Sequence, residues 1–161
     1  MTARCFLDTN VLLYVHDTLD ERKCRISSHL LLALGRALSF VVSPQVLNEY
    51  YEVAVSKPGQ YERRSLYRDN VRRLRSACAA PYDIDVVEAA WGLQDITNYA
   101  WWDLMIIACA IKAGCRYLLT EDMAHGHELG DLTIVNPFFA DFGDLIAKLG
   151  VDQPSFPIPS E

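Results

Sequence analysis

The chain has 161 residues, about half of them apolar, and a formal net charge of −6. That length suits a single domain with a substantial core, and the acidic balance argues against a general nucleic-acid coating protein. No apolar run approaches the roughly 18 residues of a membrane span, and MTARCFLDTN lacks the apolar stretch of a secretory signal, so a cytoplasmic protein is expected. Cysteines at 5, 24, 78, 109 and 115 form an odd set without a C-x-x-C pair. They read as small core residues or free thiols.

In chain order, Cys5-Phe6-Leu7 is a short apolar run that suits a buried parallel strand. It stops at Asp8-Thr9-Asn10, and ligands of open parallel sheets bind outside the carboxyl ends of strands. Asp8 or Asn10 could equally cap the helix that follows. Leu19–Leu38 has helical spacing, Ser39–Ser43 reads as a strand, and Pro44 stops it. Ser43-Pro44 is a helix start, so Glu49 falls about one turn into a helix over 45–55, either at the sheet's carboxyl edge or on a solvated face.

Lys57–Arg75 is the one basic stretch. Arg64, Arg68, Arg72 and Arg75 recur at helical spacing and so share one predicted face. Such a face neutralises nucleic-acid phosphates, sits in solvent, or docks an acidic partner. Pro81–Val87 suggests a short strand or its approach, and Glu88–Leu93 a helix. Tyr99–Ile111, YAWWDLMIIACAI, reads as a buried helix, with Thr97 or Asn98 as its cap and Gly114 just past its end. Its single charge, Asp103, has no Lys or Arg at helical spacing. Either Asp103 is solvated at the edge of the buried face, or it faces a metal ion shared with other acids. Cys115–Thr120 is a strand ending in Glu121-Asp122, Thr133–Val135 another, and Phe138–Leu149 a terminal helix. Residues 1–149 are expected to form the domain, and 150–161 a proline-rich tail. Strand–helix alternation argues for an α/β domain with a parallel sheet.

Asp8, Glu49, Asp103 and Asp122 are thus expected at one edge. At about 5 Å and an effective dielectric near 20, each like-charge pair costs on the order of 3 kcal/mol, so protons or cations must share the site. All-oxygen ligation suits Mg²⁺ or Mn²⁺. Asp8 and Asp103 are the expected core ligands, with Glu49 and Asp122 binding through water or deprotonating it.

The segments FLDTNVLLY, SPQVLNEYY, WWDLMIIACAIKAGCRYLLTEDM and IVNPF, in that order, resemble a PIN domain of the VapC toxin type. The resemblance implies a three-layer α/β/α fold with a mostly parallel central sheet. It places Asp8, Glu49, Asp103 and Asp122 at the family's four acidic positions, Thr120 at its hydroxyl position and Asn10 at its supporting polar position. It further implies Mg²⁺- or Mn²⁺-dependent endoribonuclease activity, an RNA substrate, a cognate antitoxin and a homodimer.

Glu121 reads as a neighbour of the site, and His125 and His127 as loop histidines without a matching set for a closed zinc site. Trp101 and Trp102 read as core and rim rather than as base-stacking platforms. Two other functions compete. A haloacid-dehalogenase-like phosphohydrolase would want a second acid two residues after Asp8, where Asn10 stands. A non-catalytic PIN-fold module binding RNA or a partner would be expected to lose the acids, and all four are present.

Overall fold

The apolar run Cys5–Leu7 forms β1, fully buried, and the chain turns at once into a short helix α1 (Thr9–Tyr14) whose N-cap is Asp8. The computed structural model describes residues 2–139 and 141–155. There follow α2 (Glu21–Arg36), capped by Asp20, β2 (Phe40–Val41), and α3 (Pro44–Ser56), capped by Ser43 with Pro44 in its first turn. Proline fits there because the first helical N–H has no partner in the helix. Next come α4 (Arg64–Arg73), α5 (Ile84–Gln94), α6 (Trp101–Lys112), β3 (Tyr117–Leu119), β4 (Glu128–Leu129), β5 (Leu132–Val135) and α7 (Phe142–Leu149).

Among the described residues the strands make a five-stranded sheet in the order β2-β1-β3-β5-β4. β1 runs parallel to β2 and β3, β3 parallel to β5, and only β4 is antiparallel. The step from β1 to β2 and the step from β2 to β3 go in opposite directions. Right-handed crossovers therefore put their helices on opposite faces, giving the expected α/β/α layering. The strand order reverses beside β1, and a crevice opens at the carboxyl ends there. Register sets what meets in it: Leu7 pairs with Leu119, so Asp8 and Thr120 emerge side by side.

The core runs through the sheet (Phe6, Leu7, Leu118, Leu119, Ile134) into α2 (Leu30, Leu34) and α6 (Leu104, Ile107). Every residue from Leu104 to Ala110 is buried, as a helix apolar on all sides should be. No described helix is long and apolar enough to cross a membrane. The five cysteines are free. Residues 156–161 of the expected tail lie outside the described residues; Val151, at its start, is buried against the core.

Several expectations about elements are corrected. Pro81–Val87 contains no strand: Asp83 accepts the Val86 N–H and starts α5 at Ile84. Neither Thr97 nor Asn98 caps α6. Thr97 donates to the Leu93 carbonyl at the end of α5, and the cap position of α6 is Ala100, with no side-chain bond. The basic stretch is not one helix. Tyr61–Arg63 and Arg75–Ala77 are single 3-10 turns flanking α4, so Arg75 leaves the stripe of Arg64, Arg68 and Arg72.

Candidate active site

Asp8 is both a helix cap and the floor of the site. It is 5 % exposed, and both carboxylate oxygens are engaged. Oδ1 accepts the Thr9 N–H at 2.7 Å. Oδ2 accepts the Thr120 hydroxyl at 2.7 Å and lies 3.2 Å from Asn10 Nδ2. The cap fixes the carboxylate's direction, and the strand register delivers the hydroxyl.

Asn10 Nδ2 is shared among three acceptors. It reaches Thr120 Oγ1 at 3.0 Å and Asp122 Oδ2 at 3.1 Å as well as Asp8. Its Oδ1 accepts the Glu121 N–H at 3.4 Å. Thr120, fully buried, also accepts the Asp122 N–H at 3.2 Å. One amide and one hydroxyl therefore tie the end of β1 to the loop after β3.

Glu49 is exposed on α3, and its Oε2 accepts the Thr9 hydroxyl at 3.1 Å. Asp103 stands half-buried in the first turn of α6. All four acids line one cleft of about 280 Å³, with Thr9, Asn10, Gln45 and Trp102 around them and Leu13, Val53 and Ile106 as apolar wall. The structure thus brings the four predicted acids to one cleft. It also places there Trp102, expected at the rim, and two residues to which the sequence reading gave no role, Thr9 and Gln45. Thr9 carried a signal, since it lies within the Asp8-Thr9-Asn10 strand end. Gln45 carried none.

The electrostatics match this enclosure. Burial, first, pushes the Asp8 carboxyl up from 3.8 to about 6; the bonds from Thr120 and Thr9 pull it down, and the charges of Glu49 and Asp122 push it up. Asp103 is raised by burial and then by Asp122 and Glu49. Each carboxylate makes its neighbours harder to ionise. The acidic donors facing the cleft are hard carboxylate oxygens, and no His or Cys lines it. Among the described residues, however, no three His, Cys, Asp or Glu groups stand close enough to hold an ion directly.

Glu121, beside Asp122 in sequence, points elsewhere. Its Oε2 accepts from Lys23 Nζ at 2.6 Å and its Oε1 from the Tyr14 hydroxyl. His125 Nδ1 accepts the Asn136 N–H at 3.0 Å, and His127 Nδ1 pairs with the Tyr99 hydroxyl at 2.7 Å. Trp101 packs against the core, whereas Trp102 is 63 % exposed at the rim.

On α4, Arg68 Nε donates to the Tyr51 hydroxyl at 3.2 Å, Arg72 bridges Asp69 at 2.7 Å, and Arg64 lies 4.5 Å from the Tyr61 ring centre. Arg68 and Arg72 line a groove of about 540 Å³ with Pro44, Asn48 and Tyr51.

The family model described as PIN domain matches residues 5–125. Among solved structures, the chain is similar to the VapC20 toxin of Mycobacterium tuberculosis, described as cleaving the sarcin-ricin loop. The identity is 17%, the TM-score 0.47, and the similarity covers 71% of this chain and 86% of that one. No curated protein matches.

Proposed function

The chain belongs to the PIN domain family, and from that premise we propose that it is an endoribonuclease that hydrolyses RNA phosphodiesters with Mg²⁺ or Mn²⁺. The carrying observation is the meeting of Asp8, Glu49, Asp103 and Asp122 in one cleft. We propose these four as the catalytic and metal-holding set, with Asn10 and Thr120 in support.

The ion, when bound, supplies a polarised water and positive charge opposite the phosphate. The chain's own residues do the rest. Asp8 is held in one orientation by the Thr9 N–H and the Thr120 hydroxyl, so little reorganisation is needed when an ion or a phosphate arrives. Asn10 orients Asp122 against Asp8. Glu49, exposed at the rim, is in position to take a proton from water. The apolar wall of Leu13, Val53 and Ile106 lowers the local dielectric, which strengthens every charge interaction in the cleft.

The substrate path extends toward α4. The groove at Arg68 and Arg72 shares Pro44 and Asn48 with an aromatic pocket, and that pocket shares Gln45, Glu49 and Trp102 with the acidic cleft. A single RNA strand lying along it would leave the acids and meet the cations, a sequence of charges that favours a phosphate chain. Arg64 belongs to the same face; Arg75, in its separate turn, does not line the groove.

The role as toxin of a type II toxin–antitoxin pair, acting as a cytoplasmic homodimer with a protein antitoxin, follows the VapC-type resemblance of the sequence segments. The decisive test is incubation of the purified protein with single-stranded RNA and Mg²⁺ or Mn²⁺, with and without EDTA. Cleavage that EDTA stops supports the proposal; cleavage retained by both Asp8→Asn and Asp103→Asn defeats it. Growth arrest on expression, relieved by a small protein encoded beside this one, tests the toxin role.

A further inference from the structure

Asp103 stands in the first turn of a helix without a side-chain cap. The cap position of α6 is Ala100, continuous burial begins only at Leu104, and Ala100 and Trp102 are exposed. The first N–H groups of a helix have no partner within it, and an uncapped first turn frays. The lead-in 98–100 makes one side-chain hydrogen bond among the described residues: the Tyr99 hydroxyl meets His127 Nδ1 at 2.7 Å. The two ring centres also lie 5.6 Å apart, with the planes tilted by 32°. Both residues are half-buried, and partial exclusion of water strengthens such a bond.

His127 is a firm anchor. Its carbonyl accepts the Ile134 N–H at 2.9 Å, and its N–H donates to the Ala124 carbonyl at 3.2 Å. Gly126, at φ +81, turns the loop and donates to the Ile134 carbonyl at 2.8 Å. The loop thus pinned to β5 is the one that carries Asp122. Burial raises the Tyr99 hydroxyl pKa, the Ala124 backbone lowers it and the Asp103 charge raises it, which puts the phenol beside both the loop and the acid. Asp103, raised first by burial, feels the Asp122 charge next and Glu49 last.

Resting on the nuclease reading above, we infer that Tyr99 and His127 are positioning residues. Their bond takes the place of a cap and latches the start of α6 to the Asp122 loop, and so sets how far Asp103 stands from Asp122. Asn10 and Thr120 tie Asp122 to Asp8; the Tyr99–His127 latch holds the opposite side. Neither latch residue lines the cleft, so each acts through the acids and not on the substrate.

The test reads the latch without and with an ion. In EDTA, the amides of Leu104, Gly126 and His127, all hydrogen-bonded in the fold, should exchange faster together in Tyr99→Phe and His127→Ala, while α2 exchanges as in wild type. His127→Asn puts an amide where Nδ1 stood and should restore the wild-type pattern. With Mn²⁺ and no RNA, calorimetry should show about tenfold weaker binding in Tyr99→Phe and His127→Ala, the usual scale for losing a contact that orients a ligand. His127→Asn should bind as wild type does. The double variant Tyr99→Phe/His127→Ala should bind no more weakly than either single one, because both remove the same bond. Unchanged exchange at the three amides overturns the latch. Wild-type Mn²⁺ affinity in both single variants, or losses that add in the double variant, overturns the positioning role. Wild type that binds Mn²⁺ without cleaving RNA, or that binds none, overturns the nuclease reading, and the exchange pattern then decides the latch by itself.

Discussion

The Thr120 hydroxyl donates to Asp8 Oδ2 across 2.7 Å, at the carboxyl ends of adjacent parallel strands. Thr120 Oγ1 in turn accepts from the Asn10 amide and from the Asp122 N–H, so one hydroxyl joins two of the acids. Thr120→Val removes the donor that stabilises the Asp8 carboxylate and lowers its pKa, and leaves a buried carboxylate short of a partner. It should cost about 1.5–3 kcal/mol of stability. It should also lower kcat and shift the acid limb of the pH–rate profile upward, because Asp8 then ionises at higher pH. Thr120→Ser keeps the hydroxyl and should keep the wild-type profile. A serine variant as impaired as valine would show that the methyl, not the hydroxyl, is what matters.

Asp8→Asn and Asp103→Asn should each reduce RNA cleavage by at least about a hundredfold while the protein stays folded by circular dichroism. Both side chains line the cleft, and an asparagine at 8 can still accept the Thr9 N–H that caps α1, so the fold should persist. Gel assays on purified variants check this directly.

Burial holds the Asp8 carboxyl near 6 against 3.8 in an open chain. Its folded pKa is thus above its unfolded value. Between about pH 4 and pH 6 the folded state keeps a proton that the unfolded state has released, so stability falls as pH rises through that window. The loss from Asp8 is on the order of 3 kcal/mol in the absence of metal. Thermal denaturation in EDTA, wild type against Asp8→Asn, isolates it: the Tm difference should shift in favour of the asparagine variant as pH rises. Mg²⁺ or Mn²⁺ should raise the Tm of wild type at neutral pH and do little at pH 5, where Asp8 keeps its proton.

Changing Arg68 and Arg72 together to Gln should weaken RNA binding and reduce the slope of log affinity against log salt by up to about two. The tie of Arg68 to Tyr51 and the exposed pair Arg72–Asp69 contribute little to stability, so the fold should persist. An unchanged slope would assign α4 to a protein partner instead.

Leu38 adopts φ +50 just past α2, where its N–H bonds to the Gly35 carbonyl and the Ser39 N–H to the Leu34 carbonyl. This helix ending favours glycine, and Leu38 is 91 % exposed, so its side chain gains no burial. Leu38→Gly should stabilise the protein by about 1 kcal/mol, seen as a higher urea midpoint with unchanged slope.

Much of this was readable from residues. Cys5–Leu7, Ser43-Pro44 and the apolar helix around Asp103 each combine period, composition and punctuation, and the structure has each element there. The acids were findable because strand ends and one lone charge in an apolar helix single them out. What escaped was set by a local cap or by tertiary contact. PYDIDVV has strand-like content, yet Asp83 closes a helix cap within it. Leu38 in a left-handed turn contradicts local preference. Gln45 and Trp102 belong to the cleft because α3 and α6 converge, and no spacing along one segment reports that.

Lys23 and Tyr14 together hold the Glu121 carboxylate, and Glu121 does not line the cleft. Neighbouring carboxylates on one loop thus have opposite fates: Glu121 is paired with a cation as a bolt between α2 and the sheet, whereas Asp122 meets, among the described residues, only the Asn10 amide. The cleft's electrical set-point is consequently adjustable from a helix that carries none of the acids, because a change at Lys23 would unlock an extra negative charge at its edge.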